Sequence, residues 1–571
     1  LSILRERLQE RYPGLPDTWR FACEPLKDTI VGDFRGLLWI LLGSVGVLLI
    51  ISCVNVANLL LAHSTTRHKE FSLRLALGAS RWRLFRQLFA ENLVLSFAGM
   101  VAGVVFAYLI LQVLVAHLPL SLPRAHEIKM DTWVLVFSMF LMLAASLGFG
   151  IAPALRVVDK NLSQEINRGN RGSVVSGGGK RIRSVLVIIE FSLALILLLS
   201  AGLLLRSYYE MQKERLGYDP RDSYLSRMYL SSVNYPDGTS RVRFVEDAVE
   251  QLSSVAGVDA AVFSSRFPAY YRITTKIVLD GTNQSNPDAL PRVSYFTITS
   301  GYFEALDITL EEGRLFHEFD NSEGLPVAII SRGLADYLFS DDDDPVGESV
   351  GIVRNGNTRH RIVGVVETLR DWGPLEETPF QIYVPYAQHP IPNPHLLVRT
   401  TRDFGELETD LRHALDRVDS RVPLSFNGIT LEDFTNELIA RQRYSLFLFT
   451  VFAGIALILC ALGIYGVVSF SVTQRTQELG IRLALGARDF HIYKVILWEN
   501  ATNLFYGLGT GFVVGAIVTR LLEDLLYNIK TFDAITYISV PALLITISFI
   551  ACWLPARRAT RLNPSKTLRE E

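Results

Sequence analysis

The sequence predicts a polytopic α-helical membrane protein with an α+β extracytoplasmic domain. Hydrophobic residues make up 49% of the 571 positions, the mean hydropathy is +0.26, and the apolar residues are gathered into long runs. One long stretch between those runs has the mixed composition of a soluble domain. A sequence motif also occurs twice, which predicts a tandem architecture.

The membrane part is predicted from seven apolar runs of about 20 residues or more, enough to cross a hydrocarbon core about 30 Å thick. They lie at residues 36–62, 89–115, 132–154, 184–206, 445–471, 497–519 and 535–555. The chain starts at Leu1, within a domain by its composition, so we expect it to be truncated at its start.

The domain order follows from these runs. We expect residues 1–35 to end a first extracytoplasmic domain, 36–154 to form three spans, 155–183 a cytoplasmic linker, 184–206 the next span, 207–444 a second extracytoplasmic domain with a stalk, and 445–571 three further spans and a cytoplasmic tail.

Charge distribution predicts the orientation. Lys and Arg are concentrated in residues 63–88, 155–183, 472–496 and 556–571, whereas the short loops 116–131 and 520–534 hold few of them. By the positive-inside rule the four basic segments face the cytoplasm. The seven spans then alternate without contradiction, and the C-terminus is cytoplasmic.

The repeated motif is Arg-Leu-Ala-Leu-Gly-Ala, at residues 74–79 and again at 482–487, an offset of 408 (482 − 74). The same offset relates four flanking residues of the first copy, Arg67, Glu70, Glu91 and Asn92, to Arg475, Glu478, Glu499 and Asn500 of the second. In each copy the spacing of apolar and basic residues predicts a short amphipathic helix along the membrane. Gly78 should end it, and Ser80 should cap the next helix; in the second copy Gly486 and Asp489 are expected to take these two roles.

The segment 207–444 has patterns of both helix and strand. Alternating runs predict strands at 258–264, 293–300, 327–331, 361–366 and 396–400, and helical patterns occur at 240–255, 404–418 and 431–443. This mixture is typical of an α+β domain. Because no Pro or Gly interrupts the last helix before Gly454, we expect it to continue into the next span as a stalk.

Three polar residues lie in or near predicted spans: Asn55, Asn58 and Glu190. Interhelical hydrogen bonding is the simpler interpretation of the two asparagines. A carboxylate in a span can mark a proton or ligand path, but near the interface it can also reach outward or pair with Arg183. Glycines at 99, 103, 507, 509, 511 and 515 permit close helix packing or a sliding helix interface.

Several chemistries are not supported. Gly177 to Lys180 lacks the leading Gly and the Ser/Thr of a phosphate loop, so residues 155–183 are better explained as a linker. The ten histidines and the acidic run 341–344 do not have metal-ligand spacing. No nucleophile motif occurs, and the basic clusters are explained by orientation. We therefore predict no catalytic residue, no metal site, no cofactor and no nucleic-acid partner.

Around the second copy of the repeat, residues 477–487 resemble the cytoplasmic signature of the MacB/FtsX (type VII) ABC transporter permeases. The segment 207–444 resembles that family's periplasmic core domain at residues 301–306, 312–314, 345–347, 362–366 and 382–385, as do residues 555–564 at the end of the chain. The resemblance implies tandem FtsX-like four-span units, the first incomplete, of the duplicated orphan permease (ADOP) type. The first copy differs slightly, with Phe71-Ser72 in place of Leu479-Gly480.

The resemblance also implies a role for the repeat. By matching position, the ATPase-coupling residues are Glu478, Gly480, Arg482 and Gly486, with Glu70, Arg74 and Gly78 in the first copy. Two copies imply a pair of cytoplasmic ABC ATPase subunits, and a periplasmic adaptor is a further expected partner.

The leading hypothesis is a permease subunit of a bacterial inner-membrane export system. Motion would pass from a separate ATPase to the periplasmic domain, and this chain would be no enzyme itself. Two alternatives stay open: an FtsX-like regulator of an envelope enzyme, and an ion-coupled secondary transporter that uses Glu190.

Overall fold

The computed structural model describes residues 25–66, 74, 80–116, 128–144, 177–270, 273–278, 291–340, 343–356, 358–373, 380–423, 426–476, 478, 481, 482, 485 and 488–560. The chain divides into two compact bodies. The membrane unit comprises residues 1–208 and 442–571, and the outer domain comprises residues 209–441.

The described helices, numbered along the chain, are α1 (Leu26–Thr66), α2 (Arg81–Ala116), α3 (Thr132–Ala144), α4 (Gly177–Lys213), α5 (Gly238–Ser253), α6 (Tyr302–Ala305), α7 (Arg332–Leu338), α8 (Phe404–Asp419), α9 (Leu431–Leu438), α10 (Ala440–Gln474), α11 (Asp489–Val518) and α12 (Ala534–Thr560). The strands are β1 (Ser223–Arg227), β2 (Ala260–Ser264), β3 (Thr274–Val278), β4 (Arg292–Ile298), β5 (Leu310–Gly313), β6 (Val327–Ser331), β7 (Ser349–Ile352), β8 (Thr358–Val366), β9 (Gln381–Pro385), β10 (His395–Arg399) and β11 (Phe426–Thr430).

Six helices of the described chain are long and apolar enough to cross a membrane: α1, α2, α4, α10, α11 and α12. The other predicted span, 132–154, contains the shorter α3, and its remainder lies outside the described residues. Helix α4 begins at Gly177, so the prediction of a linker as far as residue 183 was wrong at its end. A helix satisfies its own backbone and can therefore extend beyond the apolar run it carries.

Helix α4 is the most enclosed part of the membrane unit, with Phe191, Leu195 and Leu199 fully buried. The glycine stripe of α11 lies against it, since a Cβ on Gly511 would stand 2.9 Å from Leu195 Cδ2. Ser192 Oγ donates to the carbonyl oxygen of Gly507 at 3.1 Å. The stripe of α11 therefore serves close packing within the bundle.

The outer domain contains one mixed eleven-stranded sheet. Six strands follow one another in the order β4-β3-β7-β8-β6-β9, and the parallel pairing of β9 with β4 closes them into a ring. Apolar side chains from all six form one core, including Ile277, Tyr295, Ile330 and Ile382. The strands β2, β10, β1 and β11 extend the sheet, and α5 and α8 cover it with a second core.

The predicted stalk is wrong in one respect. Helix α9 ends at Leu438, and Ile439 leaves helical geometry (φ −105°, ψ 5°) before α10 begins at Ala440. The start of α9 is set by a capping box between Thr430 and Asp433. Neither Pro nor Gly is needed for this break, because one residue with a non-helical ψ already ends the ladder of hydrogen bonds.

Candidate functional site

The second copy of the repeat lies between α10 and α11 and is joined by ion pairs between repeated residues. Arg475, after the end of α10, places Nη1 3.3 Å from Glu499 Oε2 of α11. Arg482 Nη2 lies 2.5 Å from Glu478 Oε1, one helical turn away. The first pair therefore ties the segment to the following span, and the second orders a turn within it.

This segment also exposes apolar side chains. The backbone N–H of Leu485 donates to Ile481 O at 3.0 Å, which continues the turn. The side chains of Ile481 and Leu485 are 48% and 82% exposed. Gly480 and Gly486 lie outside the described residues. An apolar edge beside paired charges is the composition of an amphipathic segment, which lies on a membrane surface or in a partner's groove.

The first copy is held differently. Arg74 Nη1 donates to Gln87 Oε1 at 3.0 Å, and Gln87 Nε2 donates to Glu91 Oε1 at 3.0 Å. Gln87 thus connects two repeated positions, whereas Val495 stands in its place in the second copy. Glu70 and Gly78 lie outside the described residues.

The helices that follow the two copies also begin differently. Ser80 Oγ accepts a hydrogen bond from the N–H of Arg83 at 3.3 Å, as predicted for the N-cap of α2. In the second copy Arg488 takes the N-cap position without a side-chain hydrogen bond, and Asp489 is the first residue of α11. The two segments are therefore related in sequence and unequal in local structure.

The three intramembrane polar residues are all buried. Asn55, Asn58 and Glu190 are 7%, 3% and 0% exposed. Asn55 Nδ2 donates to Leu459 O of α10 at 2.9 Å. Among the described residues, the Glu190 carboxyl oxygens, Asn55 Oδ1 and the Asn58 amide have no hydrogen-bond partner.

Gly463 of α10 makes room for two of these groups. A Cβ built on Gly463 would meet Asn55 Oδ1 and both carboxyl oxygens of Glu190, each within 3.0 Å. The Arg183 guanidinium lies elsewhere, 4.5 Å from the ring centroid of Phe470. The expectation that Glu190 reaches outward or pairs with Arg183 was therefore wrong, because α4 directs this carboxyl inward.

The outer domain has an open pocket of about 490 Å³ that the sequence interpretation missed. Gly313, Arg314, Gly347 and Val363, residues of the short motifs quoted above, line it. Arg314 binds Asp320 in bidentate fashion, with Nη1–Oδ2 and Nη2–Oδ1 distances of 2.7 and 2.9 Å. The sequence contained one signal, because these motifs all lie in one segment. Their spacing in sequence does not show that they line one pocket.

Acidification is expected to destabilise the outer domain through His395. Burial lowers the pKa of His395 to about 4 from its ordinary value of 6.5, although its Nδ1–H donates to Ser265 O at 3.0 Å, which favours the charged ring. Between pH 4 and pH 6.5 the His395 ring is protonated in the unfolded chain and neutral in the folded domain. The contribution of His395 to the free energy of unfolding should therefore fall by about 1.4 kcal/mol for each pH unit as pH drops from 6.5 towards 4. Burial also lowers the pKa of His389 to about 4, so His389 adds to the same pH dependence.

The measurement is urea denaturation of the outer domain within the intact protein at a series of pH values. His395→Gln should make the profile less steep, and the same change at the exposed His413 is the matched surface control. Equal pH profiles for the wild type and His395→Gln would contradict the assignment.

The comparisons with known proteins agree with this architecture, a set of membrane helices with an extracytoplasmic α/β domain. The model of the FtsX-like permease C-terminal domain matches residues 43–162 and 450–564, and that of the MacB-like periplasmic core domain matches residues 188–413. The chain belongs to the MacB/FtsX family of ABC transporter permeases.

Individual relatives are more distant. The chain is 27% identical over 278 residues to the macrolide export ATP-binding/permease protein MacB of Bdellovibrio bacteriovorus, a match that covers 45% of this chain and 41% of the relative. It is 28% identical over 279 residues to the pyoverdine export ATP-binding/permease protein PvdT of Pseudomonas entomophila, covering 46% and 40%. The chain thus matches about two fifths of the length of these relatives.

A crystal structure of the periplasmic region of MacB from Actinobacillus actinomycetemcomitans is 14% identical, with a TM-score of 0.25. That match covers 38% of this chain and 94% of the MacB region.

Proposed function

We propose that the chain is the permease subunit of an ABC-type export system in a bacterial inner membrane, with its C-terminus in the cytoplasm. A separate cytoplasmic ATPase would push on the repeated segments, and the spans would carry that motion to the outer domain. Support comes from family membership and from relatives named as export ATP-binding/permease proteins. The duplicated orphan type belongs to the same proposal.

The observation that carries the proposal is the second repeat segment. Its exposed Ile481 and Leu485 offer apolar contact, and the pair between Arg475 and Glu499 links the segment to α11. A displacement of the segment would therefore be transmitted to the span α11. The presence of two copies supports two docking places and hence a pair of ATPase subunits, with a periplasmic adaptor as a further proposed partner.

Arg482→Glu is expected to abolish stimulation of a partner ATPase without loss of membrane insertion. The change replaces the cation that pairs with Glu478 by a second anion, so two like charges face one another in the turn that presents Leu485. Gly486→Pro should act in the same direction. ATP hydrolysis by the co-reconstituted ATPase is the measurement, with Lys530→Glu as the matched charge reversal on the opposite predicted side of the membrane.

If both variants still stimulate the ATPase, this segment does not have the coupling role. Transport into vesicles separates the alternative functions. Transport that needs the ATPase and ATP supports the proposal. Gradient-driven transport that Glu190→Gln abolishes would instead favour an ion-coupled carrier, and specific binding of an envelope hydrolase to the outer domain would favour a regulator.

A further inference from the structure

Three side chains of the outer domain converge on one point. His360 lies on β8, His389 follows β9, and Asn355 lies in the turn between β7 and β8. The Nε2 atoms of the two histidines are 2.8 Å apart, and the Asn355 amide lies 3.1 Å from His389 Nε2 and 3.5 Å from His360 Nε2. Because 29 residues separate the two histidines, their spacing in sequence does not indicate this cluster.

The hydrogen bonds of His360 show which of its ring nitrogens has a lone pair. His360 is fully buried, and its Nδ1 lies 2.9 Å from the carbonyl oxygen of Thr358. A carbonyl only accepts hydrogen bonds, so Nδ1 carries the hydrogen and Nε2 of the neutral ring has the lone pair. A histidine that binds a metal almost always donates its other N–H to such an oxygen. The lone pair of His360 faces His389 Nε2, and either a hydrogen on that atom or a metal cation can satisfy it.

Asn355 can direct an oxygen to the same point. The other atom of its amide lies 3.2 Å from the hydroxyl of Tyr295, which can donate or accept, so either orientation of the amide is satisfied. With Oδ1 towards the histidines, Nδ2 donates to Tyr295 and Asn355 is an oxygen ligand. Among the described residues no third His, Cys, Asp or Glu joins the pair to make a metal-binding group. Asn355 would therefore supply the third ligand.

The three atoms have the spacing that a small divalent ion requires. They form a triangle with sides of 2.8, 3.1 and 3.5 Å. A tetrahedral ion with bonds of about 2.0–2.1 Å keeps its ligand atoms about 3.3–3.4 Å apart, so movements of about half an ångström or less would admit it. His389 and Asn355 are half-buried, so solvent can supply both the ion and a water as fourth ligand.

The protonation of the two rings also suits a metal. Burial lowers the pKa of His389 to about 4, and the neighbouring His360 lowers it further in the same direction. Burial lowers the pKa of His360 as well, although its bond to Thr358 O opposes the change. Both imidazoles are therefore neutral at pH 7, which is the form that binds metals.

We infer that His360, His389 and Asn355 form a binding site for a divalent transition-metal ion of the zinc class. Imidazole nitrogen with one oxygen ligand suits Zn²⁺ and its neighbours better than Mg²⁺ or Ca²⁺, which prefer oxygen alone. A bound ion would join the turn between β7 and β8 to the segment after β9, and so link two parts of the six-stranded ring. The inference does not depend on which function the protein has.

Zinc titration of the full chain in lipid nanodiscs, after treatment with a chelator, tests the site. Isothermal calorimetry with ZnCl₂ should show one site per chain that His389→Gln weakens at least tenfold, since a neutral amide replaces an imidazole ligand. The same change at the exposed His413 is the matched control and should leave this site intact. Equal binding by the wild type and His389→Gln would assign the zinc to other surface groups and overturn the inference.

Asn355→Asp separates a metal site from a simple hydrogen bond between the histidines. A carboxylate is a stronger zinc ligand than an amide, so this variant should bind zinc more tightly than the wild type. Zinc should also raise the melting temperature of the wild type and of Asn355→Asp, and raise that of His389→Gln less. If zinc shifts none of these melting temperatures, or if Asn355→Asp does not tighten binding, the cluster is a hydrogen-bonded pair and no metal site.

Discussion

Arg266→Met is expected to destabilise the outer domain by about 3–5 kcal/mol, because it leaves the buried charge of Asp371 without its partner. Both side chains of this ion pair are 0% exposed, and the guanidinium also lies 4.1 Å from the ring centroid of Phe296. Methionine preserves much of the volume, so the loss reports the charge more than a cavity. Urea denaturation of the intact protein in nanodiscs, followed by protease cleavage of the outer domain, measures it.

Two controls separate the buried charge from charge in general. Arg421 pairs with Asp419 at the surface with a side chain 66% exposed, so Arg421→Met should change stability little. The double change Arg266→Met with Asp371→Leu should cost less than Arg266→Met alone, because no unpaired charge stays buried. A double variant less stable than the single one would show that the pair itself, and not the orphaned carboxylate, dominates.

Local sequence patterns were sufficient to predict the helices and strands whose structure depends on neighbouring residues. Strand β6 is confirmed with the predicted bounds, residues 327–331, since Pro326 precedes a continuous apolar run and Arg332 follows it. The helices predicted at 240–255 and 404–418 are confirmed as α5 and α8 within two residues at each end. Both carry aspartate N-caps, Asp237 and Asp403, and both have a clear apolar stripe.

The elements that were missed owe their structure to distant partners. Strand β5, with the sequence Leu-Glu-Glu-Gly, has neither alternation nor β-branched residues, and it exists through its pairing with β8. Strand β7 likewise pairs with β8 and β3. Closure of the six-stranded ring rests on the parallel contact of β4 with β9, about ninety residues apart in sequence, which no local pattern indicates.

The candidate sites likewise divide into those that the sequence locates and those that only the packing reveals. The repeat located the coupling segments without any coordinates, since internal similarity survives in sequence. The polar cluster of Asn55, Glu190 and Gly463 joins three helices, and only packing shows that the first two share one space. Burial also decides between the two interpretations of Glu190, because a carboxyl near the end of an apolar run can face outward or inward and the sequence does not say which.

Gly313→Ala is expected to cost the outer domain about 3 kcal/mol or more, since it adds a backbone collision to an unfavourable conformation. Gly313 has φ 76°, and a Cβ there would meet Val363 O and lie 2.9 Å from Gly364 Cα. The Glu312-Gly313-Arg314 motif thus needs glycine for the close crossing of β5 and β8. Strand separation would also displace Arg314 from the pocket that it lines.

Gly356→Ala is the matched control, because Gly356 has a similar φ of 70° and a Cβ placed on it would have nothing within 4 Å. It should show only the conformational cost of a left-handed alanine, roughly 1 kcal/mol. The difference between the two variants in urea denaturation therefore isolates the collision of strand against strand. Equal losses would mean that φ alone explains the glycine, and the close approach of β5 to β8 would then have no part in maintaining the shape of the pocket.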